Sequence, residues 1–135
     1  ETAKTYAETV RKRLPFLDFA PILTVSALTG QRVFKIFEWV ERIHGQFTTR
    51  INTGRLNKAL ESVVHKHQPP IYRGKRIKFY YATQVASGPP TFVCFVNYLE
   101  GIHSSYRRYL MNELRESLRL DLTPVRLFFR KRERK

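Results

Sequence analysis

The chain is 135 residues long, room for one domain or slightly more, and its 42% hydrophobic content is ample for a core. That composition excludes global disorder, and no apolar run reaches the roughly eighteen residues a membrane-spanning helix needs. A formal net charge of +14 is the largest departure from the ordinary.

The charge is uneven. Residues 1–47 carry seven Lys/Arg against five Asp/Glu, whereas residues 48–135 carry eighteen against six. An excess concentrated in the second part points to a polyanionic partner, nucleic acid before anything else. An anionic membrane surface would fit the charge, but no basic amphipathic helix presents bulky apolar residues on a free face. Cys94 is the only cysteine and lies among apolar neighbours, so neither an intrachain disulfide nor a thiolate metal cluster can form. A cytoplasmic protein is expected. The chain begins at Glu1 and its sole methionine is Met111, which suggests a piece of something longer.

In chain order, Ala3, Tyr6, Ala7, Val10 and Leu14 recur at helical spacing until Pro15 stops the run. Pro21 to Val25 reads as a short buried strand, and Ser26 to Gly30 as a tight loop after it. A second helix carries Val33, Ile36, Phe37, Val40, Ile43 and Phe47 on one side. Helix, strand, loop and helix look like the tail of an α/β sheet domain, and one strand alone is not a sheet. Thr53 is a suitable N-cap for a third helix, whose stripe is Leu56, Ala59, Leu60, Val63, Val64 and His67 before Pro69-Pro70 ends it.

Ile71 to Asn97 reads as a hairpin turned by Ala86-Ser87-Gly88-Pro89-Pro90. In its first half Ile77, Phe79, Tyr81, Thr83 and Val85 alternate with Arg76, Lys78, Tyr80, Ala82 and Gln84, as in a strand with one covered face. Phe92 to Val96 is apolar on both faces, the pattern of a central strand. A helix from about Ser104 to Leu120 follows, striped by Tyr106, Leu110, Leu114 and Leu118, with Arg108, Asn112, Arg115 and Arg119 down another face. After Pro124, Val125, Leu127 and Phe129 alternate with Arg126, Phe128 and Arg130, a last strand leading into the basic tail Lys131 to Lys135. From Thr53 onward the order is α-β-β-α-β. The fold class expected is α+β, a three-stranded sheet covered by helices.

A search for catalytic groups comes up nearly empty. His44, His65, His67 and His103 are scattered, no residues stand at metal-ligand spacing, and Glu113 and Glu116 are surrounded by Arg115 and Arg119. None of the six glycines makes a phosphate-binding GxGxxG or GxxxxGK pattern. No catalytic residue is assigned, no metal site, and no enzymatic activity to this chain by itself.

Ser26-Ala27-Leu28, between a predicted strand and a helix, is similar to the guanine-contacting motif near the end of translation-factor-class GTPase domains. Several further segments extend the likeness: Pro15-Phe16-Leu17-Asp18, Ser26 to Gln31, Leu56-Asn57, Pro89-Pro90-Thr91 leading into Phe92-Val93, Phe95-Val96-Asn97, and Phe129-Arg130-Lys131. Together they resemble the C-terminal third of the Der (EngA) family of bacterial GTPases, over essentially the whole chain. The family has two tandem GTPase domains followed by a KH-like domain, and acts in assembly of the large ribosomal subunit.

The resemblance implies that residues 1–47 end a P-loop GTPase domain and that 48–135 form the KH-like domain. It implies that the P-loop, the switches and the Asn-Lys-x-Asp motif, and with them GTP and Mg, belong to an upstream part, leaving this segment without a cofactor. By the same token Ser26, Ala27 and Leu28 are its nucleotide contacts, and its partners are ribosomal RNA or the large-subunit precursor and the protein's own GTPase domains.

One departure bears on mechanism. RNA-binding KH domains clamp backbone with a GxxG loop, and no two glycines here stand three apart. RNA contact is therefore assigned to side chains: Arg73, Lys75 and Arg76 in a turn, Arg108, Arg115 and Arg119 on the helix, and Arg130, Lys131 and Arg132 with the tail to Lys135. A second expectation, of another class, is that Tyr80, Val93, Phe95 and Phe128 leave an apolar patch on the far side of the sheet, where the GTPase domains would dock without RNA.

Overall fold

A computed structural model describes residues 2–133. Four helices, α1 (Ala3–Arg13), α2 (Val33–Phe47), α3 (Thr53–Lys66) and α4 (Ser104–Ser117), accompany three strands, β1 (Phe79–Ala86), β2 (Thr91–Val96) and β3 (Arg126–Lys131). From α3 onward the order is the expected α-β-β-α-β. Arg134 and Lys135, the end of the basic tail, lie outside the described residues.

The sheet is mixed, in the order β1-β2-β3, with β1 antiparallel and β3 parallel to the central β2. Every residue of β2 except Phe95 is buried, as the unbroken apolar run requires of a middle strand. The parallel β2–β3 pair needs a crossover, and α4 supplies it. The core lies between one face of the sheet and α3 and α4. Phe92, Cys94 and Val96 meet Leu56, Leu60 and Val63 from α3 and Leu110 and Leu114 from α4.

Asn57 joins helix to sheet with its side-chain amide: Oδ1 accepts from the Ala82 N–H at 2.8 Å, and Nδ2 donates to the Ala82 carbonyl at 3.0 Å. Those two backbone groups lie on the outer edge of β1, where no strand follows, so a side chain satisfies them.

Alternation along β1 holds only at its start. Phe79 pairs with Val96 and Tyr81 with Phe95, so Tyr80 is an extra residue opposite one step of β2. That bulge reverses the phase. Beyond it Ala82 is buried against the helices, while Tyr81 and Val85, expected on the covered face, are exposed on the other. The strand also starts later than its pattern suggests, because Tyr72 to Lys75 folds back on itself through a Tyr72–Lys75 bridge.

Two boundaries differ at α3 and α4. Asn52, rather than Thr53, caps α3, its Oδ1 accepting from the Gly54 and Arg55 amides at 2.9 and 3.3 Å. Helix α4 ends at Ser117, with Leu118 as C-cap and Arg119 in the left-handed region at φ 56°. Arg119 is therefore turned out of the row formed by Arg108, Asn112 and Arg115.

Before residue 48 the expected helices form, but the strand at Pro21–Val25 does not. A strand exists by pairing, and within the described residues nothing pairs with it. Neither α1 nor α2 buries a residue; Phe34 is 83% exposed and Phe16 71%.

The junction with the rest is polar and specific. Gln46 donates through Nε2 to Asp121 Oδ1 at 3.2 Å and accepts through Oε1 from the Leu122 N–H at 2.8 Å. The Phe47 carbonyl accepts from the Gly88 N–H at 2.8 Å, where Gly88, at φ 71°, turns the hairpin. No helix of the described residues is long and apolar enough to cross a membrane.

Candidate nucleic-acid interface

The basic residues sort into groups once the register is known. Val96, the last residue of β2, pairs with Phe79 on one side and Lys131 on the other. Lys78, Lys131 and Arg132 therefore gather at one end of the sheet. Arg76 is tied to the same end, since its carbonyl accepts from Asn97 Nδ2 at 3.0 Å while its guanidinium donates to Gln68 Oε1. Arg132 lies over the Tyr80 ring, 4.5 Å from its centroid, and Arg107, near the start of α4, lies 4.7 Å over Phe129. Stacking of this kind holds a guanidinium in place while leaving its N–H edge free to donate. Glu100 and Glu133 are the acidic residues near this end by sequence.

Arg73 and Lys75 sit on the adjoining turn. Arg73 and Gly74 both have positive φ, 48° and 76°, the conformation of a tight two-residue hairpin turn. Arg73 lies 5.3 Å over Tyr72, and Lys75 Nζ 5.3 Å over Tyr98. Arg108 is exposed on α4.

Arg115 is different. Its Nε donates to the Leu120 carbonyl at 3.3 Å, and its Nη2 to the carbonyls of Asp121 and Thr123 at 3.1 Å each. Its guanidinium also stacks 4.8 Å over Phe19. Burial lowers its pKa, with the charges of Asp121 and Asp18 working the other way. This arginine closes the loop between α4 and β3.

Arg119, at that same end, lines a cleft of about 760 Å³ together with Arg42 and Arg55. The nine sequence-named cations are thus not one surface. Arg76, Arg130, Lys131 and Arg132 converge, Arg73 and Lys75 adjoin through the turn, Arg119 stands at the opposite end, and Arg115 is turned inward. Arg126, absent from the sequence-named set, alternates with Leu127 and shares a face with Phe128 and Arg130. The signal was in the sequence as period two, and charge counting alone passed over it.

The Ser26 loop is closed by its own backbone. The Gly30 N–H donates to the Ser26 carbonyl at 2.8 Å, the Ser26 N–H to Gln31 at 3.1 Å, and the Thr29 N–H to Ser26 Oγ at 3.2 Å. Gly30, at φ 73°, makes the tight return possible. The amides of Ala27 and Leu28 have no acceptor among the described residues, and Leu28 is 96% exposed. Both amides are thus left able to donate to an acceptor outside the loop.

A family model described as the KH-domain-like region of EngA bacterial GTPase enzymes, C-terminal, matches residues 50–130. The chain belongs to this family. GTPase Der of Desulforapulum autotrophicum is 53% identical over 127 residues, covering 94% of this chain and 26% of that protein. GTPase Der of Syntrophotalea carbinolica is 50% identical over 131 residues, 97% of this chain and 30% of that protein. The same protein of Geobacter metallireducens is 43% identical over 134 residues, 99% of this chain and 30% of its own. The chain thus spans under a third of the length of these curated relatives and corresponds to the C-terminal part of Der. With membership in the EngA family goes the KH-like fold seen from α3 to β3.

Proposed function

We propose that this chain is the RNA-binding, C-terminal region of a cytoplasmic ribosome-assembly GTPase, with large-subunit ribosomal RNA or its precursor as partner. In this reading residues 1–47 end a GTPase domain and residues 48–135 are the KH-like domain. The observation that carries it is the convergence of Arg76, Lys78, Lys131 and Arg132 at one end of the sheet. Without a GxxG clamp, these side chains bind phosphate and discriminate little between bases. GTP and Mg would be held upstream, with Ser26, Ala27 and Leu28 completing the guanine site. Exposed Phe16 and Phe34 support contact of α1 and α2 with the body of that GTPase domain.

Fluorescence anisotropy with a fragment of large-subunit ribosomal RNA tests the reading. Charge reversal at Lys131 and Arg132 together should weaken binding at least tenfold, to a similar extent for unrelated RNA sequences. Unchanged affinity, or loss confined to one sequence, contradicts it.

A second reading, docking on the GTPase domains without RNA, draws on the exposure of Val85 and Phe128 on the helix-free face of the sheet. It predicts no RNA affinity in the same experiment.

A further inference from the structure

The helices cover one face of the sheet and leave the other open. Register arranges the open face in rows across the strands: Tyr81, Phe95 and Arg130 in one, and Thr83, Val93 and Phe128 in the next. Arg126 stands beside Thr91 beyond the second row, and Arg132 stacks on Tyr80 beyond the first. The Tyr81 and Phe95 rings are stacked, with centroids 4.5 Å apart and an interplanar angle of 20°. A groove of about 400 Å³ passes over Val85, Val93, Phe95, Phe128 and Arg130. Phe128, in the middle of β3, is 52% exposed.

Two chemistries therefore share one surface. Aromatic rings occupy all three strands, and on β3 the rings and guanidiniums alternate along the chain. None of the three strands carries an Asp or Glu. A protein partner also accepts an arginine beside aromatic rings, but Arg126, Arg130 and Arg132 bring to this face a positive charge that no strand carboxylate offsets, and that calls for a polyanion. A duplex keeps its base faces inside the stack and would leave Phe128 and Tyr81 without partners. Single-stranded RNA supplies both complements at once, planar base faces for the rings and phosphates for the arginines.

We propose that the open face of the sheet is a stacking site for unpaired RNA bases. The base faces lie on Phe128 and the Tyr81–Phe95 pair, and the phosphates run along β3 past Arg126, Arg130 and Arg132. The proposal rests on the RNA-binding reading and deepens it. Phosphate contact alone would make the chain indifferent to RNA structure, whereas stacking makes it prefer loops and single strands.

The test uses the 135-residue chain and two probes, a short single-stranded RNA carrying a fluorescent base analogue and a duplex RNA of the same length. Phe128→Ala should weaken single-strand binding about tenfold and abolish the stacking change in the analogue's fluorescence, while duplex binding stays as in the parent. Phe128→Tyr should restore both. Parental single-strand affinity in Phe128→Ala, or equal losses on the two probes, overturns the stacking site and leaves the phosphate reading standing. No binding of either probe by the parent chain removes both readings. Self-association relieved by Phe128→Ala with no change in RNA affinity assigns the face to a protein partner and overturns the proposal too.

Discussion

The guanidinium of Arg115 donates to the carbonyl of Thr123 at 3.1 Å, across the loop between α4 and β3. Thr123 is fully buried, and the same nitrogen of Arg115 also reaches Asp121. By sequence Arg115 was as good a phosphate ligand as any; in the fold its Nε and Nη2 satisfy the carbonyls of Leu120, Asp121 and Thr123 in the loop after α4. Arg115→Ala should therefore lower stability by about 2–3 kcal/mol. Arg108→Ala, on the exposed side of the same helix, should change it by less than about 0.5 kcal/mol. Urea titrations of the two variants check this, and equal midpoints would contradict the assignment.

Gly101 sits where no side chain fits. A Cβ there would collide with the Ile77 side chain and come within 2.8 Å of Tyr72 Cβ. The crowding ties the short helical turn before α4 to the base of β1, beside the Arg73 turn. Gly101→Ala should cost about 1–3 kcal/mol, read as a lowered thermal midpoint. Gly45, where a methyl group would meet nothing within 4 Å, is the control. As a residue inside α2, it should gain helix stability on substitution by alanine, by up to about 1 kcal/mol.

Burial pushes the Cys94 thiol up to about 12 from its ordinary 9.0. Because the folded pKa is the higher one, the protonated thiol's contribution to stability is whole below about pH 9 and is lost as pH rises towards 12. Unfolding free energy should fall across that window, and Cys94→Ala should flatten part of the slope. At pH 8 iodoacetamide should modify the urea-unfolded chain far faster than the folded one. Matching rates would mean that the thiol is not in the core.

Much of the architecture was legible from periodicity. The stripe of Leu56, Leu60 and Val63 and that of Tyr106, Leu110 and Leu114 became the buried faces of α3 and α4. The apolar run of β2 became the middle of the sheet.

What was not legible follows from non-local terms. Tyr80 is an extra residue only in relation to β2, so the reversed phase of Tyr81, Ala82 and Val85 has no signature within β1. Pro21 to Val25 has strand composition, yet a strand is a pairing and its partners are not in these residues. Charge counting found the basic half of the chain but could not separate Arg115, whose Nε and Nη2 are held by loop carbonyls, from Arg130 and Arg132 on the open face. The side chain of Arg119 left its row because helix α4 ends at Ser117, three residues before its expected end at Leu120.

The dependence of RNA affinity on salt tests the central reading most directly. With four or more side chains on phosphates, the logarithm of the association constant should fall linearly with the logarithm of salt, at a slope of about −3. Removing Arg130 or Arg132 should make that slope shallower by about 0.7–0.9 each, whereas Arg115→Ala should leave it as it was. A slope near zero, or one that Arg130 and Arg132 do not affect, would contradict a phosphate-binding surface on this sheet.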